Sequence, residues 1–223
     1  MGEEYIRNTN VLSTLPHLGN LIYVNDFSQG LQMESTGTEA DFETSITNNS
    51  SCIGGFSAYM RTNYLNKAAG DFVLLQKKLP LPPSPLICLD STFMYIGSLG
   101  LAGISFDLEY YNKTSIISAR IQHSHSDKKW AIEVSDSMFS NIDLPLCPLT
   151  RWYWHHVRIE MDFQNEIFLK LISDNQIIKT FNYGMWKFED AVDSGLVLKI
   201  WLTTSGDQRP IALIDNILLS SIR

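Results

Sequence analysis

The sequence predicts an all-β protein folded as an antiparallel, two-sheet β-sandwich. Apolar and polar residues alternate with period 2 from about Leu21 to the C-terminus, and turn-forming residues interrupt the pattern about every eight to twelve positions. Charged residues make up 18% and aromatic residues 11% of the chain, a composition that favours strands with large side chains over long solvated helices. A chain of 223 residues can form one sandwich. We therefore expect a single domain over 1–223, with 1–20 as a loosely packed N-terminal arm.

The strands are expected in chain order, each bounded by Gly, Pro, Asn, Asp or Ser. They are 21–27, 40–47, 56–61, 71–78, 86–95, 102–111, 115–123, 129–135, 152–163, 166–173, 176–182, 196–204 and 211–221. The turns DFQN (162–165) and SDNQ (173–176) join three consecutive strands into a meander. LPLPPSPL (79–86) is predicted to be a surface loop because proline lacks the amide that a sheet requires.

One segment predicts a short peripheral helix. Met185, Phe188 and Val192 are spaced three and four apart within 183–195, and a glycine ends the segment. The sequence therefore predicts at most one or two short helices in an otherwise all-β chain.

Charge and hydropathy exclude several classes of partner. The net charge of −7 and the pI near 5.2 do not provide the basic surface that nucleic-acid binding needs. No apolar run is long enough to insert into a membrane, and the N-terminus lacks a signal-peptide pattern, which favours the cytoplasm and leaves localisation open. The three widely spaced cysteines are expected to be free thiols.

Four segments resemble the concanavalin A-like, laminin-G-like jelly-roll superfamily. They are VNDFSQGLQMES (24–35), RWYWHHVRIEMDF (151–163), IFLKLISDNQII (167–178) and ALIDNILLS (212–220). The second contains a Trp-His-x-Val strand, and the others resemble the entry strand, the hairpin and the closing strand of these proteins. The resemblance spans about residues 24–221 and indicates no narrower family. It implies two antiparallel sheets, one of them concave, with sugars or proteins bound in the concave groove or at the rim loops.

The stretch ISFDLEYY (104–111) holds two acids on an amphipathic strand. Alternation places Asp107, Glu109 and Tyr111 on one face and the apolar residues on the other. Laminarinase-like hydrolases of the superfamily present Glu-x-Asp-x-Glu on one strand, and on that pattern Ser105 replaces the nucleophile. A retaining hydrolase needs two carboxyl groups across the sugar. We therefore interpret Asp107 and Glu109 as acids that line a ligand groove, and keep them as the catalytic pair of the alternative hydrolase.

Aromatic side chains suggest a saccharide platform beside these acids. A flat ring stacks on the apolar face of a pyranose while neighbouring polar groups bond its hydroxyls. We expect Trp130, Trp154 and Trp201, together with Arg158, to bind a ligand in the same hollow as Asp107, Glu109 and Tyr111. The alternative for each tryptophan is packing in the core.

The resemblance also implies a structural calcium ion where the first and last strands lie together. Asp26, Asp215 and the Gly30 carbonyl are the expected ligands, since calcium prefers oxygen donors. The alternative is that Asp215 accepts hydrogen bonds from backbone amides of a turn.

The predicted function is that of a non-catalytic, lectin-like protein that binds an oligo- or polysaccharide on its concave sheet. A glycoside hydrolase or polysaccharide lyase of the same fold is the first alternative. The second is a protein-interaction module that uses rim loops such as 79–86.

Overall fold

The computed structural model describes residues 18–38, 42–52, 55–62, 68–97, 101–135, 138–140, 146–174, 176–189, 193–206 and 210–222. Within these ranges the chain forms sixteen strands and no helix. The strands pair antiparallel into two sheets of eight strands each. The predicted all-β sandwich fold is confirmed.

The first sheet, called sheet A, contains both terminal strands of the described chain. Its strands are β1 (Leu18–Asn25), β3 (Glu43–Thr47), β4 (Ser57–Arg61), β6 (Leu86–Gly97), β11 (Trp154–Asp162), β12 (Ile167–Ser173), β13 (Gln176–Gly184) and β16 (Ile211–Ile222). They are ordered β13-β12-β11-β6-β16-β4-β3, and β1 also pairs with β16. The meander β11-β12-β13 agrees with the two turns predicted from the sequence.

The second sheet, called sheet B, contains the acidic strand. Its strands are β2 (Glu34–Gly37), β5 (Phe72–Leu79), β7 (Leu101–Tyr111), β8 (Ser115–Ser124), β9 (Lys129–Ser135), β10 (Met138–Ser140), β14 (Trp186–Glu189) and β15 (Gly195–Thr204). They are ordered β10-β9-β8-β7-β15-β5-β2, and β14 also pairs with β8. The acidic strand β7 therefore lies between β8 and β15.

The core lies between the sheets and is formed by the apolar positions of alternating strands. In β7, Ile104, Phe106 and Leu108 are 0% exposed, as is Val157 of β11 in the other sheet. Residues of both sheets belong to one hydrophobic cluster. Complete burial of such a side chain contributes about 1.5–3 kcal/mol. The shared cluster is consistent with one domain, whose extent over 1–223 stays a prediction.

The predicted helix over 183–195 is wrong for the residues that the structure describes. β13 continues to Gly184, and β14 runs from Trp186 to Glu189 as an antiparallel partner of β8. The segment WKFE also alternates with period 2. Its backbone N–H and C=O groups form hydrogen bonds with β8, whereas in a helix they would have to bond within the segment. Residues 190–192 lie outside the described residues.

Other expectations concern the termini, the thiols and the membrane. Residues 18–20 of the expected N-terminal arm belong to strand β1, which begins at Leu18. The remaining residues of the arm, 1–17, lie outside the described ranges. Cys52, Cys88 and Cys147 are free. No helix with the length and apolar character of a membrane span occurs in the described part of the chain.

Candidate functional site

The outward face of sheet B carries a row of charged side chains at its centre. Asp107 of β7 lies opposite Arg120 of β8 and opposite Lys199 of β15. Directly opposed residues of antiparallel strands project to the same face. The topology thus places one acid between two cations, on the side of β7 that faces away from the core.

Three carboxyl groups lie within this row and its neighbours. The Ser118 hydroxyl lies 3.2 Å from Asp107 Oδ1 and also 3.2 Å from Glu133 Oε2, while Arg120 NH1 lies 3.5 Å from Glu133 Oε1. Lys199 Nζ donates to Glu109 Oε1 at 2.5 Å, and the Tyr111 hydroxyl donates to Glu109 Oε2 at 2.7 Å. We call Asp107, Glu109, Ser118, Arg120, Glu133 and Lys199 the charged cluster.

The acids of the charged cluster are covered by its other members. Asp107 is 3%, Glu109 8% and Glu133 3% exposed, whereas the side chains of Arg120 and Lys199 are 15% and 18% exposed. A buried carboxylate is tolerated only when it is paired and hydrogen-bonded. The carboxyl groups therefore form a floor, and the cations lie above it, closer to solvent.

Burial changes the protonation of Asp107. Desolvation, reinforced by the charge of Glu109, raises the pKa of Asp107 to about 7, although Lys199 and Arg120 act in the opposite direction. Near neutral pH a substantial share of Asp107 is therefore protonated. The other two acids of the cluster are each paired with one cation, Glu109 with Lys199 and Glu133 with Arg120.

Aromatic rings flank the charged cluster at one end. The Arg120 guanidinium carbon lies 4.8 Å from the ring centroid of Trp201 and 5.1 Å from that of Phe139, which is cation–π distance. Phe72 of β5 lies 5.0 Å from Trp201 at an interplanar angle of 60°. Trp201 and Phe139 contact the Arg120 guanidinium, and Phe72 packs against Trp201. We call Phe72, Phe139 and Trp201 the first aromatic group.

Four of the predicted ligand positions lie together on this face. Asp107, Glu109 and Tyr111 are on β7, and Trp201 is opposite Ser105 on the neighbouring β15. Ser105, in the place of the hydrolase nucleophile, is 0% exposed. Ligand binding by these four residues stays a prediction.

Trp130 does not lie on this face, which corrects its prediction as a ligand contact. It is opposite His123 on the inward side of β8 and is 0% exposed. Its ring packs edge-on against Phe93 of sheet A, with centroids 6.2 Å apart. The alternative reading, core packing, holds because Trp130 fills the space between the two sheets.

Trp154 and Arg158 do not lie on the same face as Asp107 and Trp201, which corrects the prediction of a shared hollow. Both belong to β11 of sheet A and project from its outward face, opposite Met94 and Asp90. Arg158 Nε donates to Glu160 Oε1 at 3.1 Å. The hydrophobic core separates these two residues from Asp107 and Trp201, so they cannot contribute to the same site.

The structure does not support the expected calcium site. Asp215 is 0% exposed, and its two carboxylate oxygens accept the backbone amides of Cys52 and Asn216, each at 2.7 Å. Asp26 is exposed and accepts the amide and hydroxyl of Ser28 within its own turn. Gly30 donates its amide to the Phe27 carbonyl at 3.1 Å. Among the described residues no group of three or more His, Cys, Asp or Glu is arranged to hold a metal ion.

Several residues of this face were missed by the sequence analysis. Arg120 and Glu133 lie on strands that pattern reading identified correctly, yet nothing in their local sequence indicates that they adjoin Asp107. Lys199 and Trp201 share a face by alternation, and this pattern could have placed Lys199 among the predicted site residues. Trp186 and Phe188 also alternate, but they lie in the segment 183–195, for which the spacing of Met185, Phe188 and Val192 predicts a helix.

Comparison with known proteins shows the fold of this chain and no narrower relationship. No family model and no curated protein sequence matches it. A conserved carbohydrate esterase from the Shiga toxin-encoding bacteriophage phi24B superimposes with a TM-score of 0.57 at 13% identity, covering 92% of this chain and 99% of that one. The cellulose-induced protein Cip1 gives 0.54 at 12% identity, covering 90% and 98%.

The carbohydrate recognition domain of Emp46p, in its potassium-bound form, gives a TM-score of 0.50 at 15% identity, covering 92% of this chain and 95% of that domain. The chain therefore has the antiparallel jelly-roll β-sandwich fold of these structures, without assignment to a family.

Proposed function

We propose that this protein is a non-catalytic, lectin-like protein that binds a glycan on the outward face of sheet B. The observation that carries the proposal is the charged cluster: buried acids hold Arg120 and Lys199 beside the half-buried ring of Trp201. An aromatic surface bordered by a few fixed polar groups is a common form of saccharide site.

The geometry gives each member of the site a distinct role. Arg120 and Lys199 offer N–H donors to sugar hydroxyls, and the first aromatic group supplies the apolar surface. Asp107, Glu109 and Glu133 lie below and hold the cations through bonds of 2.5–3.5 Å and through Ser118. A site whose donors are already fixed loses less side-chain entropy on binding.

The structural neighbours add limited support. Emp46p is matched through its carbohydrate recognition domain, which is compatible with glycan binding by this fold. Because one fold hosts many functions, the proposal rests on the residues of sheet B.

The test measures the binding of neutral oligosaccharides to the unaltered protein and to Trp201→Ala. Tryptophan fluorescence and calorimetry are the two readouts. Loss of the Trp201 ring removes the apolar surface and one wall around Arg120. We expect affinity to fall roughly tenfold, which corresponds to the ~1.4 kcal/mol of an aromatic contact.

Trp154→Ala is the matched control, because Trp154 is a half-buried tryptophan on the outward face of the other sheet. A second test variant is Glu109→Gln, which removes the charge paired with Lys199 and should also weaken binding. Its control is Glu160→Gln, since each acid accepts a hydrogen bond from one cation. Equal losses in the sheet A and sheet B variants would contradict the proposal. Capture of a protein partner without any glycan binding would favour the interaction-module alternative.

One observation favours a hydrolase as the second candidate. Asp107 and Glu133, rather than the predicted pair Asp107 and Glu109, each lie 3.2 Å from the same Ser118 oxygen, so these carboxylate oxygens are no more than twice that distance apart. Retaining enzymes place their two carboxyl groups roughly 5–5.5 Å apart, and hydrolysis here would require the Ser118 hydroxyl and the covering cations to move aside for the sugar. The pKa of Asp107, raised to about 7 by burial, suits a general acid. Release of reducing sugar from the same oligosaccharides, abolished by Glu133→Gln and retained in Glu160→Gln, would establish hydrolysis. Binding without turnover leaves the lectin-like function.

A further inference from the structure

A second pair of aromatic rings lies on the outward face of sheet B, beyond the charged cluster. Trp186 is opposite Ser118 and Phe188 is opposite Ile116 in the β14–β8 ladder. Ser118 points outward, because its hydroxyl contacts Asp107, and residues opposite it project to the same side. The rings of Trp186 and Phe188 are 4.5 Å apart at 31°, and both side chains are partly exposed.

Strand register gives the position of this pair relative to Trp201. Trp186 aligns through Ser118 and Glu109 with Val197 of β15, and Trp201 is four residues further along that strand. Three strand spacings of ~4.8 Å and four residues of ~3.4 Å place the two tryptophan backbones about 20 Å apart on a diagonal. That diagonal crosses the middle of the charged cluster, over Asp107 and Arg120.

The charge of the cluster limits the kind of ligand that this diagonal accepts. Arg120 pairs with Glu133, and Lys199 pairs with Glu109, so both cations of the cluster are already neutralised. Asp107 adds a third carboxyl group, and the whole protein carries a net charge of −7. A uronic acid or a sulfated sugar would bring a further negative charge to a cluster without net positive charge. The hydroxyl groups of a neutral sugar, in contrast, can form hydrogen bonds with both the donors and the acceptors of the cluster.

We infer that the ligand is a neutral oligosaccharide, much longer than a disaccharide, that lies diagonally across sheet B from the Trp201 ring to the Trp186 and Phe188 rings. This inference rests on the proposed function and adds to it the length, direction and charge class of the glycan. A short sugar reaches only the first aromatic group and the charged cluster. A longer one also contacts the rings of β14.

The test compares disaccharides and hexasaccharides of glucose, xylose, mannose and galactose with the corresponding galacturonic acid oligomers, by calorimetry on the full chain. We expect a neutral hexasaccharide to bind roughly tenfold more tightly than its disaccharide. We expect Trp186→Ala to remove that gain and to leave disaccharide affinity within about twofold. Trp201→Ala weakens both, and Trp154→Ala weakens neither.

Phe188→Ala is the second variant in case Trp186→Ala disturbs the edge of the sheet, and it should reduce the hexasaccharide gain in the same way. Equal affinity for both lengths, or a length gain that survives in both variants, overturns the diagonal while the proposed function stands. Tighter binding of the galacturonic acid oligomers overturns the neutral class. Binding of no oligosaccharide by the unaltered protein overturns the proposed function and this inference together.

Discussion

At the scale of single residues, Asp107 shows what burial does to an acid on the outward side of a strand. Its position beside Glu109 raises its pKa to about 7, despite two nearby cations. In the unfolded chain this carboxyl group titrates near its ordinary value of 3.8. Since the folded pKa is the higher one, the native state binds the proton more tightly than the unfolded state between these values.

Asp107 is therefore expected to make the protein less stable as pH rises. Its contribution is fully present below about pH 4 and is lost as pH rises through about 7. Compared with Asp107→Asn, which stays neutral, the unaltered protein should lose up to a few kcal/mol of unfolding free energy over this range. Urea unfolding of both proteins from about pH 5 to pH 9 measures the difference.

The comparison with Asp107→Asn cancels titrating groups that do not interact with Asp107. His123, whose pKa burial lowers to about 4, acts with the opposite sign, because its stabilising neutral form is lost on acidification. It is present in both proteins and does not affect their difference. A difference that stays constant with pH would show that Asp107 is not protonated in the folded state.

At the scale of elements, the site depends on how closely β7 approaches β8. Gly103 of β7 lies opposite Ser124, and a Cβ atom at this position would lie 2.6 Å from the His123 carbonyl oxygen and 2.6 Å from Gln122 Nε2. The Gln122 side chain is able to move, but the backbone carbonyl belongs to the ladder. The glycine therefore allows the strand contact that places Arg120 opposite Asp107.

Gly103→Ala is expected to destabilise the protein by about 1–3 kcal/mol, because the two strands must separate or the local register must change. Gly184→Ala in β13 is the matched control, since its added Cβ would lie 4.0 Å from the nearest atom, the Glu166 carbonyl oxygen. That change should stay within about 1 kcal/mol. Urea unfolding measures both variants, and similar losses would show that close approach at Gly103 is unimportant.

At the scale of the whole molecule, much of the fold was predictable and the composition of the site only in part. Alternation identified thirteen of the sixteen described strands, and it assigned Ile104, Phe106 and Leu108 to the core face. The three that were missed, β2, β10 and β14, have only four, three and four residues. Patterns this short are too brief to distinguish a strand from a turn or a helix.

The errors at the site have two physical causes: sheet membership for Trp154 and Arg158, and the side of the strand that faces inward for Trp130. Trp154 and Arg158 were expected beside Trp201 because both strands show an outward polar face, yet a sandwich has two outward faces. Trp130 was read as a surface ring, although it occupies the inward side of β9 against Phe93. Alternation describes the two sides of one strand and contains no information about which sheet the strand joins.

By itself, the sequence determined the all-β class, the positions of the main strands and the side of β7 that carries Asp107 and Glu109. Side-chain alternation follows from local backbone geometry, which every short segment contains. Only the tertiary structure decided that Arg120, Glu133 and Lys199 surround Asp107, that Trp154 and Arg158 lie on the other sheet, and that Trp186 shares the outward face of sheet B with Trp201. Strand order is set by hydrogen bonding and burial between segments far apart in the chain, so no single segment encodes it.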